Sequence, residues 1–333
     1  MLKNCLRAAA AALLVAGFAP AAQAQFKLKI SSPTVNDASQ EWARLFKERI
    51  DKRAPGKIAV EFYPANQLGN IPATVEGVAL GTIEMVIVAS GFYVGLEPRF
   101  LVLDTPGLFD SPAHGLKIFS DPEVRKRVQS FGNNKGVEAV SFFVHSPLWM
   151  LSHKPVRAVA DLRGQKIRVP GGAPLHLEPF KKMGVSPLSL PLGEVLPAMQ
   201  NKTIDGFIAG LTVFTSFKYF DVAKALTELP ASVIVGPVLT NSRFLKSLGP
   251  DLEKIVREEA QAVETALAPW ATADIEKAKG MWTSNKGELI TMAPAEAKNY
   301  LEQTHSVLPP ILERNPAFKA DYEALKAAAD KYR

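Results

Sequence analysis

Apolar and basic residues alternate over Phe26-Lys27-Leu28-Lys29-Ile30, the period of a half-buried strand. After a loop from Ser31 to Asn36, Trp42, Leu45, Phe46 and Ile50 recur at helical spacing. That spacing predicts a helix over about 40–53, with Asp37 or Ser39 as its cap. Pro55-Gly56 stops it, and Ile58 to Tyr63 alternates again. Strand, helix, strand is the unit of a mainly parallel sheet. The pattern continues with a helix over 72–80, a short apolar strand over 84–89 and an apolar stretch over 100–109 broken by Pro106-Gly107. A helix over 123–131 and a strand over 137–144 follow. Ligands in open α/β sheets sit beyond the C-terminal ends of strands, which makes Ser31 to Asn36 and Ser90 to Tyr93 candidate ligand loops.

A second unit begins near His145. It reads as a strand over 166–169 running into Pro170-Gly171-Gly172, a helix over 175–183, an extended Ser189-Leu190-Pro191, a helix over 193–200 and a strand over 204–208. Pro230 to Leu239 predicts a strand that returns to the first unit. Residues 250–285 form one long amphipathic stretch, best placed across both units. Ile255, Val256, Ala262, Val263, Leu267 and Ile275 supply its apolar stripe. Asp251, Glu253, Glu258, Glu259, Glu264 and Glu276 are expected to face water, and Pro269 to bend it. A final helix covers 316–332.

The chain has 333 residues, 47% of them hydrophobic and 22% charged, which suits two domains or one large α/β unit. Lys3 and Arg7, the apolar run Ala8 to Ala19 and the A-x-A site Ala22-Gln23-Ala24 read as a secretory signal peptide cut after Ala24. The run is short of the roughly 20 apolar residues a membrane span needs. No later segment resembles a spanning helix, so the mature chain is expected outside the membrane. The one cysteine, Cys5, falls in that leader, which leaves no expected disulfide, thiol nucleophile or cysteine metal site.

The net charge of +6 is mild, and its basic residues are interleaved with acids. No basic stripe suggests a nucleic-acid partner. Dinucleotide, phosphate-loop, nucleophile-elbow and zinc-helix motifs are all missing. The five histidines show no close ligand spacing. The expectation is a protein with no catalytic residues, metal or cofactor.

Arg168 lies in Ile167-Arg168-Val169, just before a glycine-rich loop. Such an arginine can reach into a cleft and pair both oxygens of a carboxylate. It can equally be a surface ion pair of little consequence. Glu194 reads first as a helix cap or ion-pair partner. Trp149, Phe207, Phe214, Phe92 and Tyr93 fall near loop ends, where such aromatics divide between core and cleft.

Leu162-Arg163-Gly164-Gln165-Lys166-Ile167-Arg168-Val169-Pro170, Met183-Gly184-Val185-Ser186-Pro187, Gly193-Glu194-Val195, Ala198-Met199-Gln200 and Ile204-Asp205-Gly206 occur in that order. With Tyr63-Pro64, Gln67-Leu68-Gly69, Gly81-Thr82-Ile83-Glu84-Met85 and Asp104-Thr105-Pro106-Gly107-Leu108-Phe109, they resemble the solute-binding proteins of tripartite ATP-independent periplasmic (TRAP) transporters, of the dicarboxylate-binding type. The resemblance covers nearly the whole chain after the leader. It implies a periplasmic binding protein-like fold of two α/β lobes around a closable cleft, spanned by a long helix. Lobe I would comprise 25–145 and about 234–273, and lobe II 146–233 and about 274–333. It implies a small organic acid as ligand and the small and large TRAP membrane subunits as partners.

The family's carboxylate-binding arginine falls on Arg168, and Glu194 matches an acid whose part looks structural or cleft-organising. The implied binding set is Arg168, Trp149, Gly171, Gly172, Phe207, Ala209, Phe214, Glu194, Asn36, Ser90, Phe92 and Tyr93. Two departures stand out. A ligand-contacting asparagine of many relatives falls on Ala209, and the further arginine of sialic-acid binders has no counterpart near Leu148 and Trp149. An apolar, aromatic or 2-oxo acid is therefore expected over a sugar acid, whose hydroxyls would be left unpaired. A sensory protein for a membrane receptor and a secreted α/β enzyme are the alternatives.

Overall fold

A computed structural model of the chain describes residues 25–333; the expected leader, with Cys5, lies outside the described residues. Strand β1 (Phe26–Ser31) leads through helix α1 (Ala38–Arg53) to β2 (Ile58–Tyr63), which pairs parallel to it. Asp37 caps α1, accepting from the amides of Ser39 and Gln40. Helix α2 (Ile71–Leu80) and β3 (Met85–Ile87) complete the first half-sheet. The stretch expected as a broken apolar run is a 3₁₀ segment over Pro98–Asp104. Helix α3 (Pro112–Ser120) was not legible in the pattern, and α4 (Pro122–Val128) is shorter than expected.

Two long strands carry the chain between lobes. Strand β4 (Val137–Ser152) runs straight through the boundary expected near His145. The second lobe then builds β5 (Lys166–Val169), α5 (Pro174–Lys182), β6 (Ser186–Ser189), α6 (Leu192–Gln200), β7 (Gly206–Gly210) and α7 (Leu211–Ser216). Strand β8 (Ala225–Asn241) returns antiparallel to β4 along both lobes. The expected crossing strand over 230–239 is only its middle. The sheet order is β2-β1-β3-β8-β4-β7-β5-β6, and β9 (Glu288–Ile290) pairs β8. Strands β1, β2 and β3 of one lobe and β5, β6 and β7 of the other have three to six residues, whereas β4 and β8 have 16 and 17 and run through both lobes.

After α8 (Ser242–Ser247), helix α9 (Gly249–Ser284) runs for 36 residues, with Pro269 inside it. Val256, Val263 and Leu267 join a lobe I core with Trp42, Phe46 and Ile50. At its far end Trp282 packs on Phe214 and Phe220 of lobe II. Two acids placed on its wet face are instead buried. Glu264 pairs with Arg125 and accepts the Phe142 amide, and Glu259 pairs with Arg49 and Arg53. A charge at helical spacing says nothing of the partner that a distant element brings to it.

Helices α10 (Pro294–His305), α11 (Leu308–Arg314) and α12 (Pro316–Tyr332) close the chain. The last of these, expected with lobe II, docks on lobe I. Asp321 binds Arg99 with both oxygens, Tyr332 donates to Asp121, and His114 Nε2 meets the Ala329 carbonyl oxygen.

Candidate functional site

Successive side chains on a strand point to opposite faces. On β5, Ile167 and Val169 enter the lobe II core with Met150 and Phe180, so Arg168 is turned the other way, toward lobe I. There it borders a partly open cavity between the lobes, with about 530 Å³ free of protein atoms when the solvent at its mouth is included. Lobe I supplies Pro33, Thr34, Ser39, Ile71, Ile87, Val88 and Phe92 to the wall. Lobe II supplies Pro170, Leu192, Ala209 and Val213, and the crossing strands supply His145 and Ile234. The wall is thus mostly apolar.

Arg168 is 2% exposed. Its Nε donates to the Leu190 carbonyl oxygen at 2.9 Å and its Nη1 to that of Ile208 at 3.0 Å. These bonds fix the plane of the guanidinium but do not neutralise it. Among the described residues no carboxylate lies in ion-pair range of it. Burial pulls its pKa down to about 10, with Tyr219 opposing weakly, so the group remains a cation at neutral pH. A buried cation that lacks a counter-charge is a costly arrangement. An anion entering the cavity would relieve it.

The other expected site residues divide. Phe92 and Ala209 line the cavity. Gly171 and Gly172 lie at a groove on its rim with Gly91, where the lobes touch. A Cβ on Gly171 would stand 2.8 Å from the Gly91 carbonyl oxygen, so only glycine lets the two loops meet.

The remaining residues stand elsewhere. Trp149 is buried on β4 in the main core. Phe207 and Phe214 pack against Tyr219 with tilted and edge-on rings in a core cluster. Tyr93 is fully buried and donates to the Val86 carbonyl oxygen at 3.1 Å, tying its own loop to β3. The Ser90 hydroxyl donates to Asp104. Asn36 is exposed at a positive φ of 52°, and its carbonyl accepts from Ser216 of lobe II at 3.2 Å. Glu194 is exposed on the first turn of α6. Aromatics near loop ends were ambiguous in the sequence, and packing against neighbouring elements places Trp149, Phe207, Phe214 and Tyr93 in the core.

The sequence reading missed Thr34, Ser39 and His145. The first lies in a loop already singled out, and the second is two residues from a helix cap. Nothing in the spacing marked His145. Among the described residues no group of three or more His, Cys, Asp or Glu side chains gathers as a metal site would require. Among the same residues, no helix is long and apolar enough to cross a membrane.

The family model for bacterial extracellular solute-binding proteins, family 7, matches residues 31–315. The 2,3-diketo-L-gulonate-binding periplasmic protein YiaO of Escherichia coli (strain K12) is 30% identical over 263 residues, 77% of this chain and 79% of that one. A TRAP periplasmic solute-binding protein of Shewanella oneidensis, solved with bound succinate, superposes with a TM-score of 0.84 at 23% identity, covering 92% of this chain and 100% of that one. One from Desulfovibrio salexigens, with bound orotic acid, gives 0.84 at 22% identity, covering 92% and 99%.

Proposed function

The chain belongs to the bacterial extracellular solute-binding proteins of family 7, and from that premise we propose that it captures an organic acid in the periplasm and delivers it to a TRAP membrane permease. One observation carries the choice of ligand charge: Arg168 is a buried guanidinium without a carboxylate partner on the wall of an inter-lobe cavity. The solute carboxylate takes the place of the missing counter-charge. Closure then removes water from around the pair and strengthens it, so the bound acid favours the closed population. The export signal read over 1–24 supports the periplasmic setting.

The wall supports an acid with an apolar body, aromatic, branched 2-oxo or aliphatic. Relatives are named for, or solved with, acids as different as 2,3-diketo-L-gulonate, succinate and orotic acid, so ancestry does not choose among them. The lining supports the apolar reading: beside Thr34, Ser39 and His145, the residues Ile71, Ile87, Val88, Leu192, Ala209 and Val213 offer no side-chain polar atom to a row of hydroxyls. The test is a thermal-shift and calorimetric screen of carboxylates, with their uncharged amides as controls, on protein refolded to remove any co-purified solute. Acids should bind and amides should not. Arg168→Ala should weaken acid binding by about 2–5 kcal/mol. Amide binding equal to that of the acid, or wild-type affinity in the variant, would refute the reading.

A further inference from the structure

The ladder between β4 and β8 slips at the centre of the molecule. Val144 lies opposite Val235, but Ser146 lies opposite Ile234, so His145 is the extra residue of a bulge. Such bulges re-aim a side chain beside functional sites. Here the bulged side chain is buried and stands on the cavity wall.

The ring is also held. His145 Nε2 lies 2.9 Å from Asp37 Oδ2, while Asp37 Oδ1 accepts from the amides of Ser39 at 3.0 Å and Gln40 at 3.2 Å at the start of α1. An ionised carboxylate only accepts, so Nε2 is the donor in that pair. The remaining edge is Nδ1. Its protein neighbour is the Ser146 hydroxyl at a long 3.4 Å, and that hydroxyl also reaches the Pro147 carbonyl oxygen at 3.3 Å. A Cβ on cavity-lining Gly210 would stand 3.5 Å from Nδ1. The same Cβ would stand 2.3 Å from the Ser146 hydroxyl, so glycine at 210 makes room for that hydroxyl, and Nδ1 is left with this single long protein partner on the cavity wall.

We infer that His145, aimed by the bulge and held by Asp37, selects a single hydroxyl on the body of the bound acid. The inference rests on the reading of Arg168 as the carboxylate's partner. A hydroxyl both donates and accepts, so it satisfies Nδ1 whether or not that nitrogen carries a proton. An oxo group satisfies only the protonated ring, and a methylene neither. Further hydroxyls would face the apolar wall unpaired. The solute class narrows to a mainly apolar, monohydroxylated carboxylate.

Calorimetric titration with 3-phenylpropionate and its 2-hydroxy and 3-hydroxy derivatives tests this, with 4-methylpentanoate and its 2-hydroxy derivative as the aliphatic pair. Wild-type protein should bind a hydroxylated member about tenfold more tightly than its parent. H145F should bind parent and hydroxylated acids within a factor of about two of each other. D37S keeps a good helix cap but releases the ring; it should reduce the preference, and it carries the test if H145F does not fold. Equal binding of parent and hydroxylated acids by the wild type, or an undiminished preference in the folded variants, overturns the role of His145. Failure of every acid to bind the wild type, or full affinity in Arg168→Ala, instead overturns the carboxylate reading and takes this inference with it.

Discussion

His176 of lobe II places its Nε2 3.5 Å from Oδ2 of Asp104 in lobe I, and both side chains are almost wholly removed from solvent. Asp104 also accepts from Ser90, and burial pushes its carboxyl above the ordinary range while His176 opposes the shift. The pair bridges the lobes on the far side of Pro170 from Arg168, at a second cavity they share with Ser232 and Tyr300. Because it joins the two lobes, any opening of the cleft would have to break it. His176→Ala would leave the buried carboxyl with Ser90 as its one remaining side-chain partner and remove the contact across the lobes. Ligand affinity should fall about tenfold, and the liganded protein should show a larger radius of gyration in X-ray scattering. Unchanged affinity and unchanged scattering would remove the latch.

Gly91 supplies a steric version of the same test. A Cβ there would stand 2.4 Å from His176 Cε1, and Gly91 is not among the positive-φ residues, so alanine carries no backbone strain. The clash with His176 arises only when lobe II arrives, and within lobe I the added carbon meets only the end of the Asp104 side chain, at 3.1 Å. Gly91→Ala should therefore lower affinity by about tenfold or more while leaving the ligand-free melting temperature nearly unchanged. Gly172→Ala is the control, since no atom lies within 4 Å of an added Cβ. Equal effects of the two substitutions would count against closure at this seam.

Arg168 should separate stability from binding. Its pKa, drawn down to about 10 by burial, corresponds to a cost on the order of 3 kcal/mol in the empty protein. Replacing the guanidinium with methionine removes that cost but forfeits two charge-assisted hydrogen bonds to carbonyl groups, about 1.5–3 kcal/mol each, so the two effects largely offset. Arg168→Met should thus change the ligand-free melting temperature little and abolish stabilisation by acids. A variant that is both less stable and non-binding would mean that Arg168 is a structural residue.

The strands and helices that flank the cleft were legible because their periods are local: β1, α1, β2 and α6 appear within a few residues of expectation. The direction of Arg168 followed from alternation on a four-residue strand between two core residues. What was not legible depended on distant contacts. Glu264 is buried because Arg125 comes to meet it, and α12 sits on lobe I because Arg99 offers Asp321 a two-pronged partner. Trp149 and Phe207 looked like cleft residues because loop-end aromatics of core and cleft share one sequence signature. His145 was invisible because a bulge is a property of two strands in register, not of one.

Glu228 gives a pH test that is independent of the ligand. It stands on β8 opposite Trp149, half-buried, and burial raises its carboxyl pKa while Lys279 partly opposes the shift. A raised folded-state pKa means that the folded chain holds this proton more tightly than the unfolded chain does. Stability is then lost as pH rises from the ordinary glutamate value, about 4.3, through the raised one, because the folded state must carry a poorly solvated charge. Glu228→Gln keeps the shape and removes the titration. The variant should be more stable than wild type at pH 7, by at most about 1 kcal/mol because the group is still partly solvated. The difference should shrink steadily toward pH 4, where the wild-type carboxyl is protonated in both states. Urea unfolding of both proteins across that range measures it. A gap that stays constant, or widens on acidification, would show that Glu228 is stabilised by a charge partner in the folded protein and not penalised by its burial.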